Sequence, residues 1–95
     1  MPTLHIEHPI TDLATWTAAF DSFAEVRRGA GVVGEQVRHP VGDDRFLVID
    51  LEFGTVDEAE RFEEFLRTQV WALPERSPAL AGQPETRILQ TAART

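Results

Sequence analysis

The sequence predicts a single α+β domain in which strands and helices follow one another in the order β-α-β-β-α-β. Three observations indicate this order: alternating apolar and polar residues near the start of the chain, the strongly apolar segment FLVIDLEF, and two segments whose apolar residues recur at helical spacing. A length of 95 residues is in the range of one domain, and 42% hydrophobic residues suffice for a packed core. No repeat or linker divides the chain, so we expect residues 1–95 to form one domain.

The beginning of the chain predicts a strand followed by a helix. Leu4 and Ile6 alternate with His5 and Glu7, which is typical of a half-buried strand. Asp12 then offers an oxygen that can cap a helix. One apolar stripe at helical spacing predicts a single continuous helix, and it consists of Leu13, Trp16, Phe20, Phe23, Ala24 and Arg27.

The rest of the chain predicts a weaker strand over residues 33–39, a strong strand over 45–53 and a last strand over 86–91. The segment PVGDD between the first two of these is rich in turn residues, so the two strands form a hairpin. The segment TVDE matches a capping box and predicts the start of the second helix, which ends at Pro74. The buried stripe of that helix consists of Ala59, Phe62, Leu66, Val70 and Leu73.

This order of elements predicts a ferredoxin-like fold. Handedness and short connections give a four-stranded antiparallel sheet with strand order 4-1-3-2 and both helices on one face. The two-residue period of a strand then sends a second set of side chains to the helix-free face. That set consists of His5, Glu7, Phe46, Val48, Asp50 and Glu52. Because Phe46 and Val48 are apolar, we expect a second subunit to cover this face and form a homodimer.

Charge and composition exclude several classes of function. Nine basic residues stand against sixteen acidic ones, and a net charge of -7 repels phosphate backbones and anionic lipid. We therefore expect no nucleic-acid partner and no membrane partner. The absence of cysteine excludes disulfides, thiol nucleophiles and iron-sulfur clusters. The opening segment MPTLHIEHPI has no basic region followed by an apolar stretch, and no apolar run approaches about 18 residues, so we expect a cytoplasmic protein.

Several segments together resemble the dimeric α/β barrel superfamily, near the small bacterial proteins grouped with the antibiotic-biosynthesis monooxygenases. These segments are TLHIEHPI, DLATWTAAF, FLVIDLEF and TVDEAERFEEFL. The resemblance implies two sheets packed face to face in a homodimer, with a small-molecule ligand between each sheet and its helices or loops. The superfamily includes monooxygenases, polyketide cyclases, isomerases and haem-degrading enzymes. Its quinone-forming monooxygenases use Asn, Trp, Tyr and Arg around an aromatic substrate, whereas this chain contains no Asn and no Tyr.

The candidate catalytic residues are His5, Glu7 and Asp50, which lie on two strands that the predicted order makes neighbours. Imidazole titrates near neutrality and carboxylates can orient it, so this group could carry out proton transfer. The alternative is a charge network with Arg38 and Arg87 that is solvated or buried in a dimer. A metal site on the same three residues is only a weak signal, and we predict no metal and no cofactor.

The candidate ligand-binding residues are Trp71, Arg87 and Arg38. In a regular helix Trp71 lies more than about 90° from the buried stripe of the second helix. We therefore expect its indole to cap a pocket or to contact the partner subunit. Trp71 and Arg87 are also the residues that could correspond to the Trp and Arg of the quinone-forming monooxygenases.

The three histidines are expected to differ in role. His8 shares the face of the apolar residues of the first strand and is expected to bind a helix end or a backbone group. His39 is expected to be a solvated turn residue. His5 is therefore the predicted functional histidine, and an enzyme or a binding protein should have an enclosed pocket that reaches His5 and Trp71.

Three functions remain open at this point. The first is a cofactor-independent cyclase or isomerase that acts on an aromatic or polyketide-like substrate. The second is an antibiotic-biosynthesis-type monooxygenase. The third is a non-catalytic homodimer with a structural or partner-binding role.

Overall fold

The computed structural model describes residues 1–93, and its elements follow the predicted order. The strands are β1 (Thr3–Pro9), β2 (Val32–Arg38), β3 (Phe46–Phe53) and β4 (Glu85–Leu89). The helices are α1 (Leu13–Ser22), α2 (Ala24–Gly29) and α3 (Val56–Phe65). A π-helical turn, Leu66–Val70, continues α3 and is called the π turn below. The strand bounds differ from the predicted ones by one or two residues at their ends.

The strands form one antiparallel sheet in the order β2-β3-β1-β4, which confirms the predicted order 4-1-3-2. β1 is central and pairs with both β3 and β4. Along β1 and along most of β3, buried residues alternate with half-buried ones, so the faces predicted for these two strands are also confirmed. β2 pairs with β3 at the edge of the sheet, and its register shifts between Val32 and Gly34.

The hydrophobic core lies between the sheet and the helices. Its buried members are Leu4, Ile6, Ile10, Leu47, Ile49, Leu51, Phe53, Ala59 and Phe62. The ring centroids of Phe53 and Phe62 lie 5.8 Å apart, which joins β3 to α3. Fully burying a side chain of this size contributes about 1.5–3 kcal/mol. This cluster therefore accounts for the attachment of α3 to the sheet.

The prediction of one continuous first helix is wrong, because the helix is interrupted at Phe23. In an uninterrupted helix the carbonyl of Phe20 would accept the N–H of Ala24. Here that carbonyl accepts the N–H of Phe23 at 3.1 Å and also a hydrogen bond from the guanidinium of Arg27. Phe23 has φ -99° and ψ 12°, outside helical geometry. The chain therefore changes direction there, and α2 begins at the next residue.

No helix within residues 1–93 is long and apolar enough to cross a lipid bilayer.

Replacing Thr55 by alanine should lower the free energy of unfolding by about 1 kcal/mol. The Thr55 hydroxyl accepts the Glu58 N–H at 3.1 Å, and the Glu58 carboxylate accepts the Thr55 N–H at 3.2 Å. Urea unfolding of Thr55→Ala measures the change. Thr91→Ala is the matched control, because Thr91 is exposed and lies outside the helices and strands. Equal stability of the two variants would contradict the assigned capping box.

Candidate functional site

The predicted catalytic group lies on the helix-free face of the sheet. His5 of β1 is opposite Asp50 of β3 in one ladder and opposite Arg87 of β4 in the other. Glu7 is two residues further along β1 and therefore projects to the same side. The fold thus brings together the three residues that the sequence analysis singled out. Their role in catalysis stays a prediction.

His5 bridges two carboxylates. Its Nδ1 lies 2.7 Å from Asp50 Oδ1, and its Nε2 lies 2.8 Å from Glu7 Oε2. Asp50 in turn accepts a hydrogen bond of 2.7 Å from the Arg38 guanidinium through its second oxygen. The hydrogen bond to Glu7 raises the pKa of His5, and Asp50 adds to that rise, whereas partial burial opposes it. These contacts favour a doubly hydrogen-bonded imidazolium.

This arrangement favours the charge network over general-base catalysis at His5. A general base needs a ring nitrogen within hydrogen-bonding distance of the substrate proton, and both nitrogens of His5 face carboxylates. Arg87 is exposed and lines a surface depression beside His5. Within residues 1–93 it makes no hydrogen bond or ion pair in this network, although it stands opposite His5 in the ladder.

A second candidate site is a cavity of about 80 Å³ between the opposite face of the sheet and the helices. Most of its wall is apolar or aromatic. Side chains from β1, α1 and the π turn line it together with the segment at 76–80, and they include Ile6, Trp16, Phe20, Leu66 and Trp71. His8 is the histidine that lines this cavity, and its side chain is 3% exposed.

The hydrogen bonding of His8 determines which ring nitrogen carries the proton. Nδ1 lies 3.1 Å from the carbonyl oxygen of Pro9, and because a carbonyl can only accept, Nδ1 is the donor. Burial lowers the pKa of His8, although the bond to Pro9 opposes this. At neutral pH the ring is therefore uncharged, and Nε2 carries a lone pair.

Nε2 of His8 makes no hydrogen bond among residues 1–93. Every fully buried side-chain nitrogen and oxygen in that part of the chain has a partner, so Nε2 is not fully buried. His8 itself is one of the residues that line the cavity. The ring centroids of Trp16 and Trp71 lie 6.5 Å and 6.4 Å from that of His8. The cavity thus presents one acceptor between two indoles.

Trp71 lies in the cavity wall because the helix before it is not regular. Its N–H donates to the carbonyl of Leu66, five residues earlier, at 2.7 Å. The extra residue in this turn brings Trp71 back to the side of the helix that packs on the core. Trp71 was predicted to be rotated away from the buried stripe on the condition that the helix is regular. The helix is not regular at this point, so that prediction does not apply. The indole lines the cavity, and its contact with a partner subunit stays a prediction.

The expectation of one pocket reaching both His5 and Trp71 is wrong. Adjacent residues of a strand point to opposite faces, so His5 lies across the sheet from the cavity that Trp71 lines. His8 was expected to bind a helix end or a backbone group, and it bonds the backbone carbonyl of Pro9, but it was not among the predicted site residues. The sequence did contain an indication of this role. His8 is an even number of residues from Leu4 and Ile6 in the same strand, so its imidazole lies on the face that packs against the core.

Arg27 is a further cavity residue that the sequence analysis did not identify as functional. It is 5% exposed, and its guanidinium lies 3.6 Å from the ring centroid of Phe20. Its Nε donates to a carboxylate oxygen of Glu35 on β2 at 2.8 Å. Arg27 therefore joins α2 to the sheet edge and adds a positive charge to the cavity wall.

No group of three or more His, Asp or Glu side chains in residues 1–93 is arranged to hold a metal ion. His39 is exposed, and its Nδ1 bonds the carbonyl of Pro40 at 2.8 Å.

The sheet order and the helices on one face define a ferredoxin-like α+β protein. No family model matches the chain, and no curated protein matches it in sequence. Three solved structures share its fold over nearly the whole length of both chains. A dimeric ferredoxin-like protein from an uncultured marine organism has a TM-score of 0.61 at 10% identity, with 100% of this chain and 98% of that one covered.

The second is an uncharacterized NIPSNAP domain protein from Burkholderia xenovorans. Its TM-score is 0.64 at 16% identity, with 98% of this chain and 96% of that one covered. The third, a conserved protein from Methanosarcina mazei Go1, has a TM-score of 0.53 at 12% identity, with 97% and 95% covered. At such identities the likeness establishes the fold alone.

Replacing His5 or His8 by glutamine should change stability with opposite pH dependence. The raised pKa of His5 means that its contribution is complete below its unfolded pKa of about 6.5 and is lost as pH rises through the folded value. The lowered pKa of His8 means that the folded protein loses stability as pH falls below about 6.5 towards the folded value. His5→Gln should therefore be more destabilising at about pH 5.5 than at about pH 8.5, and His8→Gln the reverse.

Urea unfolding at both pH values and a fixed protomer concentration measures these differences. His39→Gln is the matched control for removing an exposed imidazole. The same pH dependence for His5→Gln and His8→Gln would show that one of the two environments is wrongly assigned.

Proposed function

We propose that the protein is a homodimer that binds a small, mainly apolar molecule bearing a hydroxyl group in the cavity beside His8. The observation that carries this proposal is a buried imidazole in the wall of an apolar cavity, with Nδ1 bonded to the Pro9 carbonyl and Nε2 without a hydrogen-bond partner among residues 1–93. An apolar pocket with a few oriented polar groups is the usual form of a small-molecule site.

The energetic cost of the cavity supports a functional reason for it. Unfilled volume enclosed in a protein core costs about 24 cal/mol per Å³, so about 2 kcal/mol is the upper limit for this cavity of about 80 Å³, which is partly open at the surface. The net stability of a domain is typically about 5–15 kcal/mol. At that limit the cavity would cost a substantial share of the stability that a small domain can have.

The polar groups around the cavity favour a hydroxyl over a cation. The lone pair on Nε2 of His8 accepts a hydrogen bond from an O–H group but repels a carboxylate. Arg27, which pairs with Glu35, lies in the same wall and disfavours a cation. The aromatic wall favours contact with a flat ring, so phenols and enols are the ligand classes that this chemistry suits.

The same geometry supports cofactor-independent proton transfer of the cyclase or isomerase kind. A proton would leave an O–H or an activated C–H group of the ligand and bond to Nε2 of His8, while the electron pair stays on the ligand. Because burial disfavours the imidazolium, the proton would return to another ligand atom within the same cycle. The net result is an isomerisation or ring closure that needs no oxidant.

The homodimer would form through the helix-free face. Phe46 and Val48 are half-buried there, beside the His5 network. The structural neighbour described as a dimeric ferredoxin-like protein supports such an assembly. In the dimer the network of His5, Glu7 and Asp50 would be shielded from solvent, which strengthens its ion pairs. Both ring nitrogens of His5 already bond carboxylates. This supports a structural role for the network instead of a catalytic one.

Val48→Arg should convert the homodimer to a species near the protomer mass of 10.7 kDa. It adds a long charged side chain to the proposed interface, opposite Glu7 in the ladder, where burial against a second sheet would cost more than a single surface ion pair returns. Light scattering at micromolar concentration measures the mass. Val41→Arg is the matched control, because Val41 is fully exposed in the turn between β2 and β3. A monomeric parent protein would contradict the proposed homodimer, and an unchanged mass for Val48→Arg would contradict the proposed interface.

Phenol and toluene test the cavity as a nearly isosteric pair with and without a hydroxyl. We expect phenol to bind the parent, and the ratio of phenol to toluene affinity to fall about tenfold in His8→Phe, because the hydroxyl then lacks its acceptor. Titration followed by tryptophan fluorescence measures both affinities, since Trp16 and Trp71 flank the imidazole. His39→Phe is the control. An unchanged ratio would remove His8 from the proposed site.

A further inference from the structure

The cavity as it stands is small for a ring-shaped ligand. An apolar cavity of about 150 Å³ admits benzene in another protein, and the volume here is about 80 Å³. A ring can therefore enter only if part of the wall moves. The wall residue that combines large size with partial exposure at the end of a helix is Trp71.

The position of the Trp71 indole depends on the π turn. In a regular α-helix Trp71 would lie about 140° around the axis from Leu66, at about 100° per residue, and its indole would leave the cavity wall. In the observed turn the two residues are joined by the hydrogen bond between the Trp71 N–H and the Leu66 carbonyl. π turns are rare and are often found at functional sites.

A side-chain contact supports the C-terminal end of this turn. The guanidinium of Arg76 donates to the carbonyl of Gln69 at 3.0 Å. Arg76 also lines the cavity, as Trp71 does. One arginine therefore touches both the backbone of the π turn and the space that the indole closes.

We infer that Trp71 determines the size of ligand that the cavity admits, with the π turn and Arg76 holding its indole in the closed position. This inference rests on the proposed ligand-binding function of the cavity. In the closed position the indole fills the side of the cavity that faces solvent. When the turn relaxes to α-helical bonding, the indole moves outwards and the space beside His8 accepts a larger ring.

Phenol and 2-naphthol test the inference, because they carry the same hydroxyl on one ring and on two. In Trp71→Ala the ratio of 2-naphthol to phenol affinity should rise by at least about tenfold over the parent. Arg76→Ala should raise the ratio in the same direction by a smaller factor and make the tryptophan fluorescence more accessible to an added quencher. Isothermal titration calorimetry measures the affinities.

Two variants keep the experiment decisive. Arg61→Ala is the control for Arg76→Ala, because Arg61 is an exposed arginine of α3 away from the cavity. Trp71→Leu replaces Trp71→Ala if the latter does not fold, since it is also smaller than tryptophan and keeps apolar packing. Both ligands binding with an unchanged ratio in the Trp71 variant would overturn the inference and leave the proposed function standing. No binding of either ligand to the parent or to any variant would overturn the proposed function, and the inference with it.

Discussion

The two-residue period of the central strand β1 is the constraint on which both candidate sites depend. β1 is hydrogen-bonded on both sides, to β3 and to β4, so it cannot slip without breaking two ladders. Its register sends His8 into the cavity under the helices and His5 to the helix-free face. A shift of one residue would exchange the two faces and bury Glu7 in the core.

This division gives two histidines of one short strand opposite electrostatic properties. His5 lies between two carboxylates that stabilise its charged form, whereas His8 lies among indoles and aliphatic groups that disfavour it. The difference follows from surroundings alone, because the two side chains are chemically the same. A charged, doubly bonded imidazole suits an ion-pair network, and a neutral one with a free lone pair suits ligand binding.

Much of this architecture could be predicted from local patterns in the sequence. Alternation identified the faces of β1 and β3, and the capping box located the start of α3. The grouping of His5, Glu7 and Asp50 followed from strand parity and the predicted strand order. These features depend on residues that are close in the sequence, or on a topology that a few general rules reduce to a small number of possibilities.

The features that could not be predicted depend on contacts between distant or competing groups. The break at Phe23 arises because the guanidinium of Arg27 competes for a helical carbonyl while it also pairs with Glu35 of another strand. The π turn inserts one residue into a helix whose sequence pattern is compatible with regular bonding up to Val70. Because that single residue redirects Trp71, an error of one position in the helix is enough to hide the cavity and the role proposed for His8 in it.

The size of the domain connects the two faces energetically. A small domain buries a lower share of its surface than a large one, so an unfilled cavity costs it proportionally more. Ligand binding would recover part of that cost, because a molecule that binds the folded state stabilises it. The proposed dimer would recover another part by covering Phe46 and Val48 on the opposite face. A cavity on one side of the sheet is therefore easier to maintain in this chain when the other side is occupied by a partner.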